Sequence, residues 1–185
     1  NITVTVKSVP SVNITPDPAV LCADGSLNMD GNPGGGRGIY TAHLWTGTGA
    51  VYLSATNIED PVFSGAPAGI YSLTYTVTAD NGCDGTETIN VTVNPVPNVT
   101  ANPVSQAVCH NTATTTIIFS GTVPGTVFNW TNDTPSIGLA ASGSSNILSF
   151  TALNAGTLPV TATITVVPTA GGCPGVPIVV TITVN

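Results

Sequence analysis

Residues 69–93 read GIYSLTYTVTADNGCDGTETINVTV, and the alternation of residue types along this stretch predicts a β-hairpin. Apolar and aromatic residues occupy every second position, with Ser or Thr between them, which is the pattern of a strand with one buried face. The segment Asp80-Asn81-Gly82 supplies a turn of the kind that closes hairpins. The side chains predicted for the buried face are those of Tyr71, Leu73, Tyr75 and Val77.

The end of this hairpin is part of an internal repeat. The segment from Ile2 to Val12 recurs from Ile89 to Val99, an offset of 87 residues. The same offset relates Cys22 to Cys109, Leu73 to Val160 and Val77 to Ile164, and small insertions or deletions also relate Trp45 to Trp130 and Cys83 to Cys173. Matching Cys, Trp and apolar residues in one order predicts two copies of one module, with Val160 and Ile164 in the second core.

The repeat also predicts the module boundaries. Module 1 is predicted to cover residues 8–94 and module 2 residues 95–185, while residues 1–7 repeat the last strand of a module. We therefore expect residues 1–7 to be the last strand of a preceding repeat or a strand donated to a neighbouring subunit. Pro95 and Pro97 favour an extended, stiff connection between the two modules.

The spacing of strands and turns predicts the fold class. Each module shows about seven short alternating segments and no helical periodicity, with Trp45 or Trp130 on the third segment. The fourth predicted strand of module 1 covers residues 51–54. Seven short strands around a core Trp are typical of an immunoglobulin-like sandwich. The prediction is an all-β chain of two tandem immunoglobulin-like antiparallel β-sandwiches.

Two motifs resemble a known family. The block from Gly69 to Cys83 resembles the late strands of polycystic-kidney-disease-type (PKD-like) domains, and Trp45-Thr46-Gly47-Thr48-Gly49 is similar to the Trp and Gly-rich turn of that family. With a Cys after the late turn and a closing Val-x-Val-Asn-Pro-x-Pro, the chain is similar to PKD-like repeats of Bacteroidota surface and gliding-associated adhesins. The resemblance implies export to the cell surface and an adhesive or spacer role.

Charge excludes several classes of function. The chain has only 2 Lys and Arg against 9 Asp and Glu, a formal net charge of -7. Nucleic-acid binding requires clustered basic residues that this composition lacks, and attraction to an anionic membrane surface is disfavoured for the same reason. No apolar run approaches the length of a membrane span. No Ser–His–Asp set or carboxylate pair recurs in both modules, so we predict that the protein is not an enzyme. The low content of charged residues and the abundance of threonine predict an extracellular protein.

The four cysteines occur at matched places, two in each module. They predict two disulfides within modules, Cys22–Cys83 and Cys109–Cys173, each acting as a staple at one end of its sandwich. A zinc site is the alternative use of four thiolates, but it calls for close pairs such as C-x-x-C, which are absent. Disulfides would imply an oxidising compartment.

Acidic residues are concentrated in module 1. Four of them, Asp24, Asp80, Asp84 and Glu87, are candidates for a calcium site, because they flank the predicted disulfide or lie on its hairpin. Calcium takes six to eight oxygen ligands, which carboxylates and loop carbonyls could supply. Module 2 has no equivalents of these acids. The composition favours solvated loop carboxylates, and no cofactor is required.

Two functions remain open at this point. The first is a structural segment, a stalk or fibre building block of a surface adhesin or extracellular filament, with neighbouring repeats or like subunits as partners. The second is an accessory module that binds a carbohydrate or a host surface. Glycan-binding sites commonly present exposed aromatic rings, whereas aromatic residues are 5% of this chain and both Trp are predicted in cores.

Overall fold

The computed structural model describes residues 2–185, and its only regular elements besides β-strands are two short turns of 3₁₀ helix. The chain divides into two units, Asn1–Pro95 and Val96–Asn185, which are called module 1 and module 2 below. Each module has its own cluster of buried apolar side chains. No helix long and apolar enough to cross a bilayer occurs in the part of the chain that the structure describes.

Module 1 is built around the hairpin that the alternating stretch predicts. Its strands are β1 (Pro10–Ser11), β2 (Ala19–Cys22), β3 (Ser26–Asn28), β4 (Gly34–Gly35), β5 (Tyr40–Thr46), β6 (Val62–Ser64), β7 (Gly69–Ala79) and β8 (Asp84–Asn94). The main sheet has the order β2-β8-β7-β5, in which β7 and β8 pair antiparallel over their whole length and β2 runs parallel to β8. The opposite layer contains the β3–β6 and β1–β4 pairs.

The core of module 1 confirms the predicted buried face. Leu73, Tyr75 and Val77 are fully buried, and Trp45 packs against Tyr75 with ring centroids 4.6 Å apart. Tyr71 is only half-buried, because its hydroxyl reaches out of the core and donates to the carbonyl of Pro67 at 2.9 Å. A tyrosine near the start of the penultimate strand that bonds back to the chain just upstream is also a feature of immunoglobulin sandwiches.

Module 2 repeats this arrangement. Its strands are β9 (Thr100–Asn102), β10 (Ser105–Val108), β11 (Ile118–Ser120), β12 (Val127–Asn132), β13 (Ser142–Ser144), β14 (Val160–Ala170), β15 (Cys173–Pro174) and β16 (Ile178–Val184). The main sheet has the order β10-β16-β14-β12-β13, with β15 also paired to β14 and β10 parallel to β16. The opposite layer contains the β9–β11 pair. Both modules are immunoglobulin-like β-sandwiches, as the sequence predicts.

The core of module 2 contains the predicted Trp130 and Ile164, whereas Val160 is half-buried at the start of β14. The strand registers explain this difference. Val160 pairs with Val184 as Gly69 pairs with Val93, so the late hairpins are related by an offset of 91 residues and Leu73 corresponds to Ile164. The offset of 87 is therefore wrong for these strands, because module 2 has four more residues before β14.

Two other local predictions differ from the structure. Residues 50–52 form a turn of 3₁₀ helix where residues 51–54 were predicted as a strand, and the short parallel strand β2 was not predicted. Module 2 has the strand β13 in the region after its core Trp, paired to β12. Alternation is the main sequence signal for a strand, and the four residues of β2 and the three of β13 are too few to display it.

Residues 2–7 form no strand within this chain. The side chains of Ile2, Val4 and Val6 are 95%, 80% and 89% exposed, although they alternate as in β8. Lys7 is held in place, because its ammonium donates to the carbonyl of Asn81 at 2.6 Å. Asn1 lies outside the described residues. The pairing of this segment with a preceding repeat or a neighbouring subunit stays a prediction.

The hairpins make close contact with the segment that leads into each module. The Cα of Gly85 lies so near the Pro10 backbone that an added Cβ would overlap the Pro10 carbonyl oxygen. Gly175 of module 2 has the same relation to the Pro97 carbonyl oxygen. A glycine in the turn region of each late hairpin therefore lets the incoming chain cross against it.

We predict that Gly85→Ala destabilises module 1 by about 1–3 kcal/mol, the usual cost of forcing an extra methyl group into a packed site. Gly69→Ala in the paired strand is the matched control, since its Cβ would meet the Tyr71 ring at an ordinary 3.4–3.5 Å. Urea unfolding followed by Trp45 fluorescence in a Trp130→Phe background measures both. Equal unfolding midpoints for the two variants would show that the Pro10 contact is not tight.

Candidate functional site

The two cysteines of module 1 lie at opposite ends of its sandwich. Cys22 ends β2 and is in register with Asn94, the last residue of β8, whereas Cys83 directly precedes Asp84, the first residue of β8. A strand rises about 3.3 Å per residue, so the ten steps of β8 separate the two cysteines by roughly 33 Å. A disulfide needs Cα atoms within about 7 Å of one another.

The cysteines of module 2 are separated in the same way. Cys109 follows Val108, which is in register with Val184, and Val184 in turn pairs with Val160 at the start of β14. Cys173 pairs with Ala170 at the end of β14. The length of β14 again places roughly 33 Å between the two residues.

The predicted bridges Cys22–Cys83 and Cys109–Cys173 are therefore wrong. Cys83 and Cys109 are free thiols, the first half-buried and the second exposed. Cys22 and Cys173 are disulfide-bonded. The prediction failed because it placed both cysteines of a module at one end of the sandwich, whereas the eleven-residue strand β8 separates them.

The predicted calcium ligands do not converge either. Asp24 follows β2 at the end of module 1 near Asn94, while Asp80 and Asp84 lie at the opposite end beside the hairpin turn. The Asp80 carboxylate lies 3.6 Å from the guanidinium of Arg37. The Glu87 carboxylate accepts a hydrogen bond from the backbone N–H of Ile14 at 2.5 Å. These partners give Asp80 and Glu87 structural roles.

A different acidic group is assembled in module 1, from Asp30, Glu59 and Asp60. Carboxylate oxygens of these three residues lie within 4.8 Å of one another. Asp30 follows β3, and the other two precede β6. The register of these strands extends past their ends, because Met29 N–H donates to the Pro61 carbonyl and Gly31 N–H to the Glu59 carbonyl. The pairing of β3 with β6 thus brings the three acids together.

The acidic group borders the buried ring of Tyr75. The Tyr75 hydroxyl lies 2.5 Å from Nδ1 of His43, and burial together with the nearby carboxylates of Glu59 and Asp60 raises the pKa of Tyr75. Burial and the charge of Asp60 raise the pKa of Glu59. Burial and the charge of Asp30 raise the pKa of Asp60. Tyr75 therefore stays neutral at physiological pH.

Three carboxylates supply fewer oxygens than the six to eight that calcium takes. Two of the three, Asp30 and Asp60, are exposed, so water could complete a coordination shell there. The sequence contains the adjacent pair Glu59-Asp60, but nothing in its pattern fixes the register of β3 against β6, which is what adds Asp30. The register of β3 against β6 is therefore the information that sequence reasoning lacked for this acidic group.

Both histidines have hydrogen-bond partners within their own modules. Nδ1 of His43 is paired with the Tyr75 hydroxyl, and Nδ1 of His110 accepts the backbone N–H of Asn154 at 2.9 Å. Asp133 of module 2 accepts hydrogen bonds from the Thr163 N–H and the Thr134 hydroxyl, which lower its pKa. Each of these groups is thus held by residues of its own module.

A depression of about 660 Å³ lies at one end of module 2, against His110, the residue that follows Cys109. It is lined by His110 and by the loop that precedes β14. Leu153 and Leu158 of that loop are 42% and 77% exposed. Asn154 is buried beneath them, where its amide donates to the Leu158 and Val184 carbonyls at 2.9 Å. The amide therefore fixes a loop that presents apolar side chains to solvent.

No known protein-family model matches the chain, and no curated protein matches it. Among solved structures, the three N-terminal domains of the highly immunogenic outer capsid protein (Hoc) of bacteriophage RB49 align over 96% of this chain and 70% of theirs, at 9% identity and a TM-score of 0.51. Fibronectin(III)-like modules of Clostridium thermocellum CbhA align over 94% of both chains, at 15% identity and a TM-score of 0.43. Immunoglobulin domains 1–4 of Sidekick-1 align over 99% of this chain and 51% of theirs, at 13% identity and a TM-score of 0.46. Such identities show likeness of fold alone.

The cysteine geometry predicts which thiols react in the unreduced chain. Alkylation with iodoacetamide in urea, without reductant, should modify Cys83 and Cys109 and leave Cys22 and Cys173 unmodified. In native buffer Cys109 should react faster than Cys83, because it is more exposed. Peptide mass spectrometry reads both results. Modified Cys22 in the unreduced chain would contradict the assignment.

The acidic group predicts a pH-dependent stability. Glu59 has a raised pKa in the folded state, so its charged form is disfavoured and stability falls as pH rises through that pKa. Glu59→Gln should therefore stabilise module 1 at pH 7, and the gain should vanish below about pH 4, where the wild-type Glu59 is protonated. Urea unfolding at a series of pH values, followed by Trp45 fluorescence in a Trp130→Phe background, measures this.

Asp133→Asn is a control whose effect on the free energy of unfolding at pH 7 should have the opposite sign. The pKa of Asp133 is lowered in the folded state, so its charged form contributes stability that is lost as pH falls through that pKa. The substitution should destabilise module 2 at pH 7, and the loss should fade in acid. Trp130 fluorescence in a Trp45→Phe background reports on it. A Glu59→Gln effect that is independent of pH would contradict the electrostatic account.

Proposed function

We propose that this chain is a structural repeat segment of a secreted or cell-surface bacterial adhesin or extracellular filament, in which each sandwich acts as a spacer. The observation that carries the proposal is the place where the chain enters and leaves each module. The leading end is the end with the turn between the last two long strands, and the trailing end is the end where the final strand stops.

The chain enters module 1 at its leading end. The Asn81 side chain in the β7–β8 turn donates to the carbonyl of Ser8 at 2.9 Å, and Gly85 contacts the Pro10 carbonyl. The chain leaves at Asn94, the last residue of β8. Since β8 has eleven residues, entrance and exit are separated by roughly 33 Å along the strand direction.

Module 2 has the same arrangement. Gly175 contacts the Pro97 carbonyl at the leading end, and the chain reaches the trailing end at Asn185, whose N–H donates to the Val108 carbonyl. A module whose entrance and exit lie at opposite ends lengthens a chain with every copy added. This property suits a stalk or a fibre.

The outer face of the main sheet is also suited to a spacer. Its polar side chains are mostly threonines that bond to one another across strands, such as Thr74 with Thr88 at 2.8 Å and Thr161 with Thr183 at 2.9 Å. Cross-strand Thr pairs stabilise a sheet without adding charge. Only 6% of residues are charged, so neighbouring fibres would meet little electrostatic repulsion.

Aromatic burial weighs against the carbohydrate-binding alternative. Every Trp, Tyr and Phe side chain in the chain is buried or half-buried. Both Trp indoles are also engaged, since Nε1 of Trp45 donates to the Ile58 carbonyl and Nε1 of Trp130 to the Ser145 carbonyl. No aromatic ring in the described chain is placed to stack on a sugar.

The sequence resemblance supports the cellular setting of the proposal. The motifs around Trp45 and from Gly69 to Cys83 are similar to PKD-like repeats of Bacteroidota surface proteins, and this resemblance supports an extracellular location for the parent protein. Disulfide-bonded Cys22 and Cys173 agree with an oxidising compartment. Neighbouring repeats of the same kind are the partners that this proposal implies.

A length measurement tests the spacer function. Head-to-tail fusions of one, two and three copies of the chain should grow in maximum dimension by roughly 33 Å for each added module, in small-angle X-ray scattering under reducing conditions. Growth as the cube root of mass, as for a globular particle, would overturn the proposal.

A glycan array probed with the unfused chain tests the alternative. The spacer proposal expects no selective binding. Retention of the chain by one glycan class, together with compact fusions, would instead establish a carbohydrate-binding module.

A further inference from the structure

The two free thiols occupy positions that are disulfide-bonded in the other module. Cys109 corresponds to Cys22, since both lie at the end of the strand that runs parallel to the last strand of the module: Cys22 is the final residue of β2, and Cys109 directly follows β10. Cys83 corresponds to Cys173, since each lies just after the turn that follows the longest central strand. Cys22 and Cys173 are disulfide-bonded, whereas Cys83 and Cys109 are not. Both kinds of position are thus able to form a disulfide.

Each kind of position lies at one end of a module. Cys83 is at the leading end of module 1, where its backbone N–H donates to the side-chain oxygen of Asn81 at 2.9 Å, and the side-chain amide of Asn81 donates to the Ser8 carbonyl. Cys109 is at the trailing end of module 2, where the N–H of the next residue, His110, donates to the Asn185 carbonyl at 2.9 Å. In a row of modules, the trailing end of one copy faces the leading end of the next.

We propose that Cys109 forms a disulfide with the Cys83 position of a following copy, so that successive repeats are stapled head to tail. The partner is another repeat of this chain's own kind. The inference rests on the tandem arrangement of the proposed function. A pairing of equal positions, such as Cys109 with Cys109, would require two trailing ends to meet and would stop a row after two members.

The surface around Cys109 fits such a neighbour. The next residue, His110, lines a depression together with the loop that contains Leu153 and Leu158, whose apolar side chains are exposed in this chain. Around the leading end of module 1, Val9 and Ile39 are 62% and 55% exposed. Contact between these two surfaces would remove apolar area from water. The contact would also hold the two thiols near one another.

Formation of the bond is an oxidation and needs an electron acceptor. The Cys109 thiolate attacks a disulfide oxidant such as oxidised glutathione, which gives a mixed disulfide and releases one glutathione thiolate. The Cys83 thiolate of the next copy then attacks the Cys109 sulfur and releases the second glutathione. Two protein thiols become one disulfide, and one glutathione disulfide becomes two thiols.

A fused chain tests the staple. Residues 8–185 of a second copy follow Asn185 of the first, so that the new junction has the length of the natural one between Asn94 and Pro95. Cys83→Ser in the first copy and Cys109→Ser in the second leave one candidate pair, Cys109 of the first copy and Cys83 of the second. After incubation with oxidised glutathione, the intact mass should be lower by two hydrogens and carry no glutathione.

The matched control exchanges the two substitutions. Cys109→Ser in the first copy and Cys83→Ser in the second leave the thiols at the outer ends of the fusion, and both should carry glutathione after the same incubation. The fusion without substitutions has four free thiols, Cys83 and Cys109 of each copy. After the same incubation only two of them should carry glutathione, because the other two form the staple. Fluorescence of Trp45 and Trp130 checks that all three fusions fold.

Glutathione on both thiols of the test fusion would overturn the staple, because a tether keeps the two thiols at a high effective concentration and favours closure. That result would leave the spacer function intact if the reduced fusions still lengthen by roughly 33 Å per module. Loss of that lengthening with the disulfide present would instead count against the proposed function. The two failures are therefore distinguishable.

Discussion

The long antiparallel hairpin at the end of each module is the constraint on which the rest of the structure depends. In module 1 its two strands have eleven residues each, and their continuous ladder fixes the length of the sandwich. One end of the hairpin has a turn, against which the incoming chain packs, and the other end releases the chain. A shorter hairpin with the same core would bring entrance, exit and both cysteines closer together.

The hairpin also explains how strands with a nearly uncharged outer face keep a single pairing register. Because side chains alternate between faces, a slip of one residue would expose Leu73, Tyr75 and Val77 and bury a row of threonines. The buried Trp45 sets the same register from the neighbouring strand, where it lies opposite Tyr75. Register is thus secured by apolar burial, and the outer face needs no charges to define it. The threonine rows remain available to solvent.

The sequence predicted what depends on periodicity and repetition. Alternation at residues 69–93 located the hairpin and three of its four core side chains, and the repeat located both modules and both core tryptophans. It failed where an answer depends on lengths in three dimensions. The pairing of Cys22 with Cys83 overlooked the ten strand steps between them, and the group of Asp30, Glu59 and Asp60 depends on a register between two three-residue strands. Neither quantity is visible in the spacing of residues along the chain.

The strand lengths that rule out the predicted disulfides are compatible with the proposed joining of repeats. A cysteine at each end of a rigid module cannot stabilise that module by closing a loop within it. It can only act on whatever lies beyond that end. Two cysteines per module at opposite ends are the minimum that a disulfide-linked row requires, because each interior copy must bond once forward and once backward. A sandwich that needed its disulfide for folding would place both cysteines within reach of one another, as module 1 and module 2 do not. The two cysteines of a module are too far apart to bond to one another, so the stability of each module must come from its apolar core and its strand ladder.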